Sequence, residues 1–253
     1  MDLKLRNKTV IVTGGSRGLG KAICFAFAQE GSNVALTYNS NKAAADQIVS
    51  EIVEKYSIKA HCYQCDVSSE ADVKKLFSKV IKDFESVDVL VNNAGICPIS
   101  MIKDTSLEVW SSVIDTNLTG VFLTCREMVN HLIGLNRAGR IVNVASQAAY
   151  NVSKRGKTHY AASKGGVISF TNSLAKEVAS SQIYVNGIAP GLMHTEMTAG
   201  ILTSEIDQYN KQIPLGRIAG LDEVADLILY LASDRCSYTT GTTVDISGGM
   251  LGI

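Results

Sequence analysis

A tyrosine and a lysine four residues apart have the clearest potential for chemistry in this sequence of 253 residues. Tyr160 and Lys164 fall in a predicted helix, where residues four apart share one face. A tyrosine hydroxyl with an ordinary pKa of about 10 is a poor base near neutrality, but a neighbouring ammonium favours its ionised form. The pair could therefore exchange a proton with a carbonyl or alcohol oxygen. Because ordinary helices also carry such pairs, the pair alone does not define a site.

A glycine-rich segment follows the first predicted strand. It reads Thr-Gly-Gly-Ser-Arg-Gly-Leu-Gly from Thr13 to Gly20 and leads directly into a helical pattern. Glycines permit a tight turn and a close approach of the backbone to a pyrophosphate, and a helix N-terminus attracts an anion. The segment predicts a dinucleotide site, although a purely structural turn could carry similar glycines.

Short apolar runs alternate with helical patterns along the whole chain, and these elements must position the residues above. Several runs, such as Val-Ile-Val and Val-Leu-Val, are apolar on both faces, which is typical of parallel strands covered by helices on each side. The alternation predicts one doubly wound α/β domain. The predicted strands are 9–13, 33–38, 59–65, 87–91, 140–145, 183–188 and 242–246. The predicted helices are 19–30, 42–56, 70–84, 106–132, 160–179 and 222–232.

Composition excludes several classes of protein. The formal net charge is zero and 46% of the residues are hydrophobic, so there is no electrostatic footprint for nucleic acid or an anionic membrane. The N-terminus lacks the apolar region of a signal peptide, and no uninterrupted apolar run reaches about 18 residues. We therefore expect a cytoplasmic protein with neither a nucleic-acid nor a membrane partner.

Cys62 and Cys65 form the one Cys-x-x-Cys pair among six cysteines. Such a pair can bind a metal or perform redox chemistry, but no second pair completes a zinc site. The pair also lies in a predicted strand, where residues an odd number of positions apart point to opposite faces. We favour the strand interpretation and predict no metal site.

Five ordered motifs make the sequence resemble the short-chain dehydrogenase/reductase family over essentially its whole length. Gly14, Gly18 and Gly20 give the family's G-x-x-x-G-x-G spacing. The four further motifs are Asn92-Asn93-Ala94-Gly95, Asn117, Ser146 and Tyr160-Ala161-Ala162-Ser163-Lys164, and the resemblance extends to Pro190-Gly191. The resemblance implies a Rossmann-like domain over residues 1–253, with a seven-stranded parallel sheet flanked by helices on both faces. It also implies hydride transfer between a nicotinamide and a carbonyl or secondary alcohol.

The resemblance implies a catalytic tetrad of Asn117, Ser146, Tyr160 and Lys164. Ser146 would hydrogen-bond the reacting oxygen, and Lys164 would also bind the nicotinamide ribose. Asn117 would hold a water in a proton relay, although it could be only a helix-bending residue. His159, just before the catalytic tyrosine, is interpreted as structural.

The residues after the second predicted strand bear on the choice of cofactor. NAD enzymes usually place an acidic residue there to bind the ribose hydroxyls, but Thr37 to Asn41 contain no carboxylate. Arg17, with Lys42 as a second candidate, could instead attract the 2′-phosphate of NADP. The predicted cofactor is NADP (NADPH), although Arg17 could be only a solvated loop charge.

The resemblance extends the cofactor site along the chain. Asp66 matches the position that meets the adenine amino group, although it could instead cap a helix or turn. Met193 and Thr195 would bind the nicotinamide carboxamide, which implies transfer of the pro-S hydride, and His194 is interpreted as a loop or substrate-rim residue. The predicted cofactor contacts are Gly14, Ser16, Arg17, Gly18, Leu19, Gly20, Asn39, Asp66, Val67, Asn93, Ala94, Gly95, Tyr160, Lys164, Pro190, Gly191, Met193 and Thr195.

Residues 147–157 and a helical lid at about 195–213 are predicted to form the walls of the substrate cleft. The overall resemblance is greatest to 3-oxoacyl-acyl-carrier-protein reductases, which places Arg137 and Lys176 where those enzymes dock an acidic carrier. Surface Arg and Lys are also often only solvated charges. The alternatives are a sugar, polyol, steroid or small-ketone enzyme of the same family, or a non-catalytic NADP-binding sensor. The family resemblance also implies a homotetramer.

Overall fold

The computed structural model describes residues 1–150, 156–195 and 199–251, and within these it contains a parallel sheet of seven strands. The strand order is β3-β2-β1-β4-β5-β6-β7, so the order reverses between β1 and β4. The predicted doubly wound α/β fold is confirmed. The strands are β1 Thr9–Val12, β2 Asn33–Tyr38, β3 Ala60–Gln64, β4 Val89–Asn92, β5 Gly139–Val144, β6 Ile183–Pro190 and β7 Thr243–Ile246.

Helices cover both faces of the sheet. The α-helices are α1 Gly18–Gln29, α2 Lys42–Tyr56, α3 Glu70–Phe84, α4 Leu107–Ile114, α5 Gly120–Gly134, α6 Thr158–Val178, α7 Ala199–Gln212 and α8 Leu221–Ala232. α1, α2 and α8 pack against one face of the sheet, whereas α3, α5 and α6 pack against the other. Neighbouring residues of β1 divide between these two cores, because Val10 and Val12 join the first and Ile11 joins the second. No helix in the described parts of the chain is long and apolar enough to cross a bilayer.

The helix predicted over 106–132 differs from the observed one at its centre. α4 and α5 are joined by a π-helical turn, Asp115–Thr119, and Asn117 in this turn is fully buried. Sequence periodicity does not reveal the extra residue in this turn. Asn117 therefore lies in a local distortion of the predicted helix.

The Cys-x-x-Cys pair has the predicted strand geometry. Cys65 belongs to the core on the α3 face, whereas Cys62 packs against the core on the α2 face. The Cys62 thiol donates a hydrogen bond to Asp46 of α2, and burial is the main reason that its pKa rises to about 11. The two thiols therefore lie on opposite faces of the sheet.

Candidate active site

Ser146, Tyr160 and Lys164 meet where β5 ends and α6 begins. Ser146 opens a short turn, Gln147–Ala149, just beyond β5, and its hydroxyl hydrogen-bonds the hydroxyl of Tyr160 in the first turn of α6. Lys164 lies one helical turn further along, with Nζ 5.8 Å from the centre of the Tyr160 ring. The structure therefore brings together three of the four predicted catalytic side chains.

Burial dominates the ionisation of the tyrosine–lysine pair. It raises the pKa of Tyr160 to about 12, despite an opposing effect of the hydrogen bond from Ser146. Burial also lowers the pKa of Lys164 to about 8. Lys164 is only 3% exposed, and its Nζ donates a hydrogen bond of 2.6 Å to the Val144 carbonyl at the end of β5. The sequence-based expectation that Lys164 lowers the tyrosine pKa is not met, because burial is the largest cause of the shift and Lys164 is not among its causes.

Asn117 is the fourth predicted catalytic residue, and its side chain holds the backbone beside the site. Its Oδ1 accepts the Ile96 N–H at 2.8 Å, and its Nδ2 donates to the Ile96 carbonyl at 2.9 Å. Nδ2 also contacts the Ser163 hydroxyl, one residue before Lys164, at 3.1 Å. The π-helical turn therefore ties the segment after Gly95 to the catalytic helix. A relay water would have to meet the backbone of Asn117, because its side chain is already paired.

Two groups near the site were not found from the sequence. The Cys97 thiol lies close enough to influence the pKa of both Tyr160 and Lys164. A buried chain of hydrogen bonds also runs behind the site from Thr124 through Asn92 and Asn143 to Thr171, with distances of 2.7 to 2.9 Å. The sequence contained one indication of this chain, because Asn92 and Asn143 are asparagines in two mostly apolar strands. The two asparagines lie opposite each other in the sheet.

The glycine-rich loop is held close to the end of β4. Gly14 has a left-handed backbone with φ +65°, and a Cβ atom at Gly20 would overlap the Gly14 carbonyl oxygen. Asn93 donates from Nδ2 to the carbonyls of Thr13 and Gly14 at 2.9 and 3.2 Å. The Thr13 hydroxyl accepts the N–H groups of Asn93 and Ala94, each at 3.0 Å. The loop thus forms a cradle at the strand-order reversal, and it leads directly into the N-terminus of α1.

The end of β2 presents neutral polar groups beside this loop. The Thr37 hydroxyl accepts the Gly14 N–H at 3.1 Å, and Asn39 is exposed just beyond the strand. Arg17 is exposed at the N-cap of α1, and no ion pair is found for it among the described residues. Lys42 is instead paired with Asp46 at 2.6 Å. Arg17 is therefore the better placed of the two predicted phosphate-binding cations.

The remaining predicted cofactor contacts follow the carboxyl ends of β3 and β6. Asp66 accepts both the N–H and the hydroxyl of Ser68, so it does form the turn that was considered as an alternative role. Gly18, His194 and Thr195 line one groove with a volume of about 580 Å³. Of the remaining contacts, Leu19 is buried at the start of α1, Val67 is buried just after β3, Pro190 ends β6, Gly191 is bonded to β7, and Met193 pairs with Ala219.

Parts of the predicted substrate cleft lie outside the described residues, namely 151–155 and 196–198. α7 provides a helix within the predicted lid at about 195–213, which leaves its role as a lid a prediction. Arg137 and Lys176 lie at the other end of the sheet from Tyr160. Arg137 precedes β5 and pairs with Asp88 at 2.6 Å, and Lys176 is exposed in the last turn of α6.

A nucleotide cradle at the strand-order reversal, next to a serine–tyrosine–lysine cluster, defines the class of dinucleotide-dependent oxidoreductases. Comparisons with known proteins agree. A family model described as enoyl-(acyl carrier protein) reductase matches residues 14–251. The chain is 41% identical to a 3-oxoacyl-[acyl-carrier-protein] reductase of Aquifex aeolicus, over 99% of this chain and 100% of that protein. It is 40% identical to the protein of the same name from Chlamydia muridarum, again over 99% of this chain and 100% of that protein.

Solved structures give the same result. A short-chain type dehydrogenase/reductase from Mycobacterium marinum superimposes with a TM-score of 0.93 at 32% identity, covering 98% of this chain and 97% of that one. A putative gluconate dehydrogenase from Agrobacterium tumefaciens gives a TM-score of 0.94 at 29% identity, covering 100% of this chain and 99% of that one. The chain belongs to the short-chain dehydrogenase/reductase family, whose members are oxidoreductases that use a nicotinamide cofactor.

Proposed function

We propose that this protein is an NADPH-dependent reductase of 3-oxoacyl thioesters that are attached to an acyl-carrier protein. The observation that carries the proposal is the Ser146–Tyr160 hydrogen bond beside Lys164, in a chain about 40% identical over its full length to 3-oxoacyl-[acyl-carrier-protein] reductases. Two hydroxyl groups that meet at one point can together bind and protonate a carbonyl oxygen.

The described residues fit a dinucleotide. A Cβ atom at Gly14 or Gly20 would occupy the space of the cradle, so the glycines leave this space open. The N-terminus of α1 would direct its free N–H groups towards a pyrophosphate bound there. When bound, NADPH supplies the hydride for the carbonyl carbon. Asn39 would bind the adenosine ribose, Asp66 the adenine, and Lys164 the nicotinamide ribose.

Arg17 favours NADPH over NADH. A 2′-phosphate carries nearly two negative charges, and it would meet an exposed guanidinium with no carboxylate at the end of β2. An acidic residue at that position would repel the phosphate. The preference for NADPH is therefore a matter of local charge.

Tyr160 would act as the proton donor while Ser146 hydrogen-bonds the carbonyl oxygen. Because burial raises the pKa of Tyr160 to about 12, its hydroxyl keeps its proton at neutral pH. This state suits donation to an oxygen that becomes negative as hydride arrives. Lys164, beside the phenol, would stabilise the phenolate that remains.

Substrate comparison and one substitution test the proposal. With NADPH, kcat/KM should be highest for a 3-oxoacyl thioester, above a 2-enoyl thioester, a sugar, a polyol and a steroid ketone. Tyr160→Phe should lower kcat by roughly 10²–10⁴, because it removes the proton donor, with little change in NADPH affinity. Tyr238→Phe, which removes a fully exposed hydroxyl, is the matched control.

The outcomes separate the alternatives. Preference for a sugar, polyol or steroid would place the protein elsewhere in its family, and a preference for the enoyl thioester would contradict carbonyl reduction. Absence of turnover with every carbonyl compound, together with tight NADPH binding, would instead indicate a non-catalytic sensor. Near-normal turnover in Tyr160→Phe would disprove the mechanism.

Arg137 and Lys176 are the proposed contacts for the acidic carrier. Lys176 lies sixteen residues after Tyr160 in α6, so the two are about 24 Å apart along the helix. A carrier docked there would act through its charge and not at the reacting carbon. Reversing both charges should raise KM for a carrier-linked substrate but not for a small soluble thioester, and the effect should shrink in 1 M salt. Equal losses on both substrates would contradict docking.

We also propose that the protein is a homotetramer and that it is located in the cytoplasm. Leu107, Trp110, Phe122 and Ile133 are large apolar side chains on α4 and α5 that remain exposed in the single chain. Phe122 packs edge-on against Phe170 of α6, so this apolar surface continues onto the next helix. Sedimentation should give four chains, and Phe122→Glu should lower that number. Cell fractionation tests the location.

A further inference from the structure

His159 is a fully buried histidine at the start of the catalytic helix, immediately before Tyr160. The N-cap residue of this helix, Lys157, contributes no side-chain hydrogen bond. The first helical bond joins the Ala161 N–H to the Lys157 carbonyl, which leaves the N–H groups of the preceding residues without helical partners. The first turn of α6 therefore needs another acceptor.

The imidazole of His159 provides that acceptor for Tyr160. Its Nδ1 accepts the backbone N–H of Tyr160 at 2.7 Å. The neutral ring must then carry its proton on Nε2, and this nitrogen is buried with no hydrogen-bond partner among the described residues. Among the described residues, the bond to Tyr160 is therefore the one hydrogen bond of the ring.

We propose that His159 is a positioning residue, which fixes the backbone of Tyr160 so that its hydroxyl meets Ser146 and the substrate carbonyl. Tyr160 has its side chain on the turn that this bond closes, and its hydroxyl must reach Ser146 across the gap between α6 and β5. A displacement of about 1 Å at a reacting group can cost roughly 10²-fold in rate. The inference rests on the proposed role of Tyr160 as proton donor.

The bond also depends on protonation of the ring. A protonated Nδ1 is a donor and would oppose the Tyr160 N–H, so only neutral His159 can hold it. Burial lowers the pKa of His159 and is the only cause of its shift. The ionisable side chains of α6, of its flanking residues and of the elements packed against it are Glu108, Asp115, Cys125, Arg126, Glu127, His131, Arg140, Tyr150, Lys157, Tyr160, Lys164, Lys176, Glu177, Tyr184 and Asp245. None of them contributes to the shift, so the bond should hold at neutral pH and fail in acid.

Two substitutions separate the hydrogen bond from the volume of the ring. His159→Phe keeps a ring but removes the acceptor, and we expect kcat to fall about 10-fold to 100-fold with KM and NADPH affinity changed less than about 3-fold. His159→Asn places Oδ1 where Nδ1 was and cannot titrate. It should retain kcat within about 3-fold. It should also lack the decline of kcat that we expect of the wild type in acid, at a pH below the ordinary histidine pKa of about 6.5.

His131→Phe is the matched control. His131 also accepts a backbone N–H through its ring, that of Val87 at 3.1 Å, but it lies at the end of α5 away from Tyr160. This substitution should lower the melting temperature and leave kcat and its pH profile unchanged.

The inference fails if folded His159→Phe has wild-type kcat, or if His159→Asn and the wild type have the same kcat profile in acid. The comparison of His159→Asn with the wild type in acid tests the inference even if His159→Phe does not fold. Tyr160→Phe distinguishes this failure from that of the proposed function. If it abolishes turnover while the His159 variants behave as the wild type, only the positioning role is wrong.

Discussion

Lys164→Met should change how the stability of the protein depends on pH, in addition to removing activity. The side chain is 3% exposed, and its ammonium is held by the Val144 carbonyl at 2.6 Å. Methionine has a similar length and fills the same space without a charge. The substitution therefore removes a buried titrating group and leaves the surrounding core nearly intact.

The magnitude follows from the pKa of Lys164. Burial lowers it from an ordinary 10.5 to about 8, which corresponds to roughly 3 kcal/mol. Between these values the unfolded chain binds the proton and the folded chain does not, so stability rises with pH. The cost of the buried charge is complete below about pH 8 and gone above about pH 10.5. Roughly 2–3 kcal/mol of it should disappear between pH 7 and pH 10.

Urea denaturation at fixed protein concentration measures this effect, with fluorescence of the single tryptophan, Trp110, as the signal. The difference in unfolding free energy between the wild type and Lys164→Met should grow by roughly 2–3 kcal/mol in favour of the wild type from pH 7 to pH 10. Lys176→Met removes an exposed lysine of the same helix and should show no such change, because water hydrates that charge in both states. A constant difference for Lys164→Met would refute the account of its buried charge.

Three further substitutions test the nucleotide site and the core behind it. Arg17→Ala should weaken NADPH binding by about 10-fold to 100-fold and NADH binding hardly at all, by titration; equal losses would show that Arg17 does not meet the 2′-phosphate. Gly20→Ala adds a Cβ that would overlap the glycine loop, so both coenzymes should bind at least about 10-fold more weakly, whereas Gly134→Ala, with open space around it, should leave binding unchanged. Thr171→Val removes the acceptor of Asn143 Nδ2 and should cost about 1–3 kcal/mol, or several degrees in melting temperature; an unchanged melting temperature would mean that the buried chain adds no stability.

The sequence predicted the sheet because each strand has an unambiguous pattern. β1 and β4 are apolar on both faces, which only a strand between two helical layers can satisfy. The glycine spacing predicted the loop before α1 for a similar reason, since the left-handed backbone at Gly14 and the close contact at Gly20 leave no room for another residue type. These features depend on local conformation, so local sequence is sufficient to reveal them.

The sequence was less informative wherever a property depends on distant groups. The helix predicted over 106–132 is interrupted by a π-helical turn, which lets Asn117 reach the backbone of Ile96. The pKa of Tyr160 was expected to fall beside a lysine, but it rises because the folded chain removes water from both groups. Neither desolvation nor a contact across the fold appears in residue spacing.

The sequence by itself therefore determined the order of strands and helices, the glycine cradle, and the helix face shared by Tyr160 and Lys164. Only the tertiary structure decided which groups surround them, including the hydrogen bond of Ser146, the ring of His159 and the thiol of Cys97. The physical reason is that propensity and periodicity act over a few residues. Burial, and hydrogen bonds between segments, arise only when the carboxyl ends of separate strands come together at one edge of the sheet.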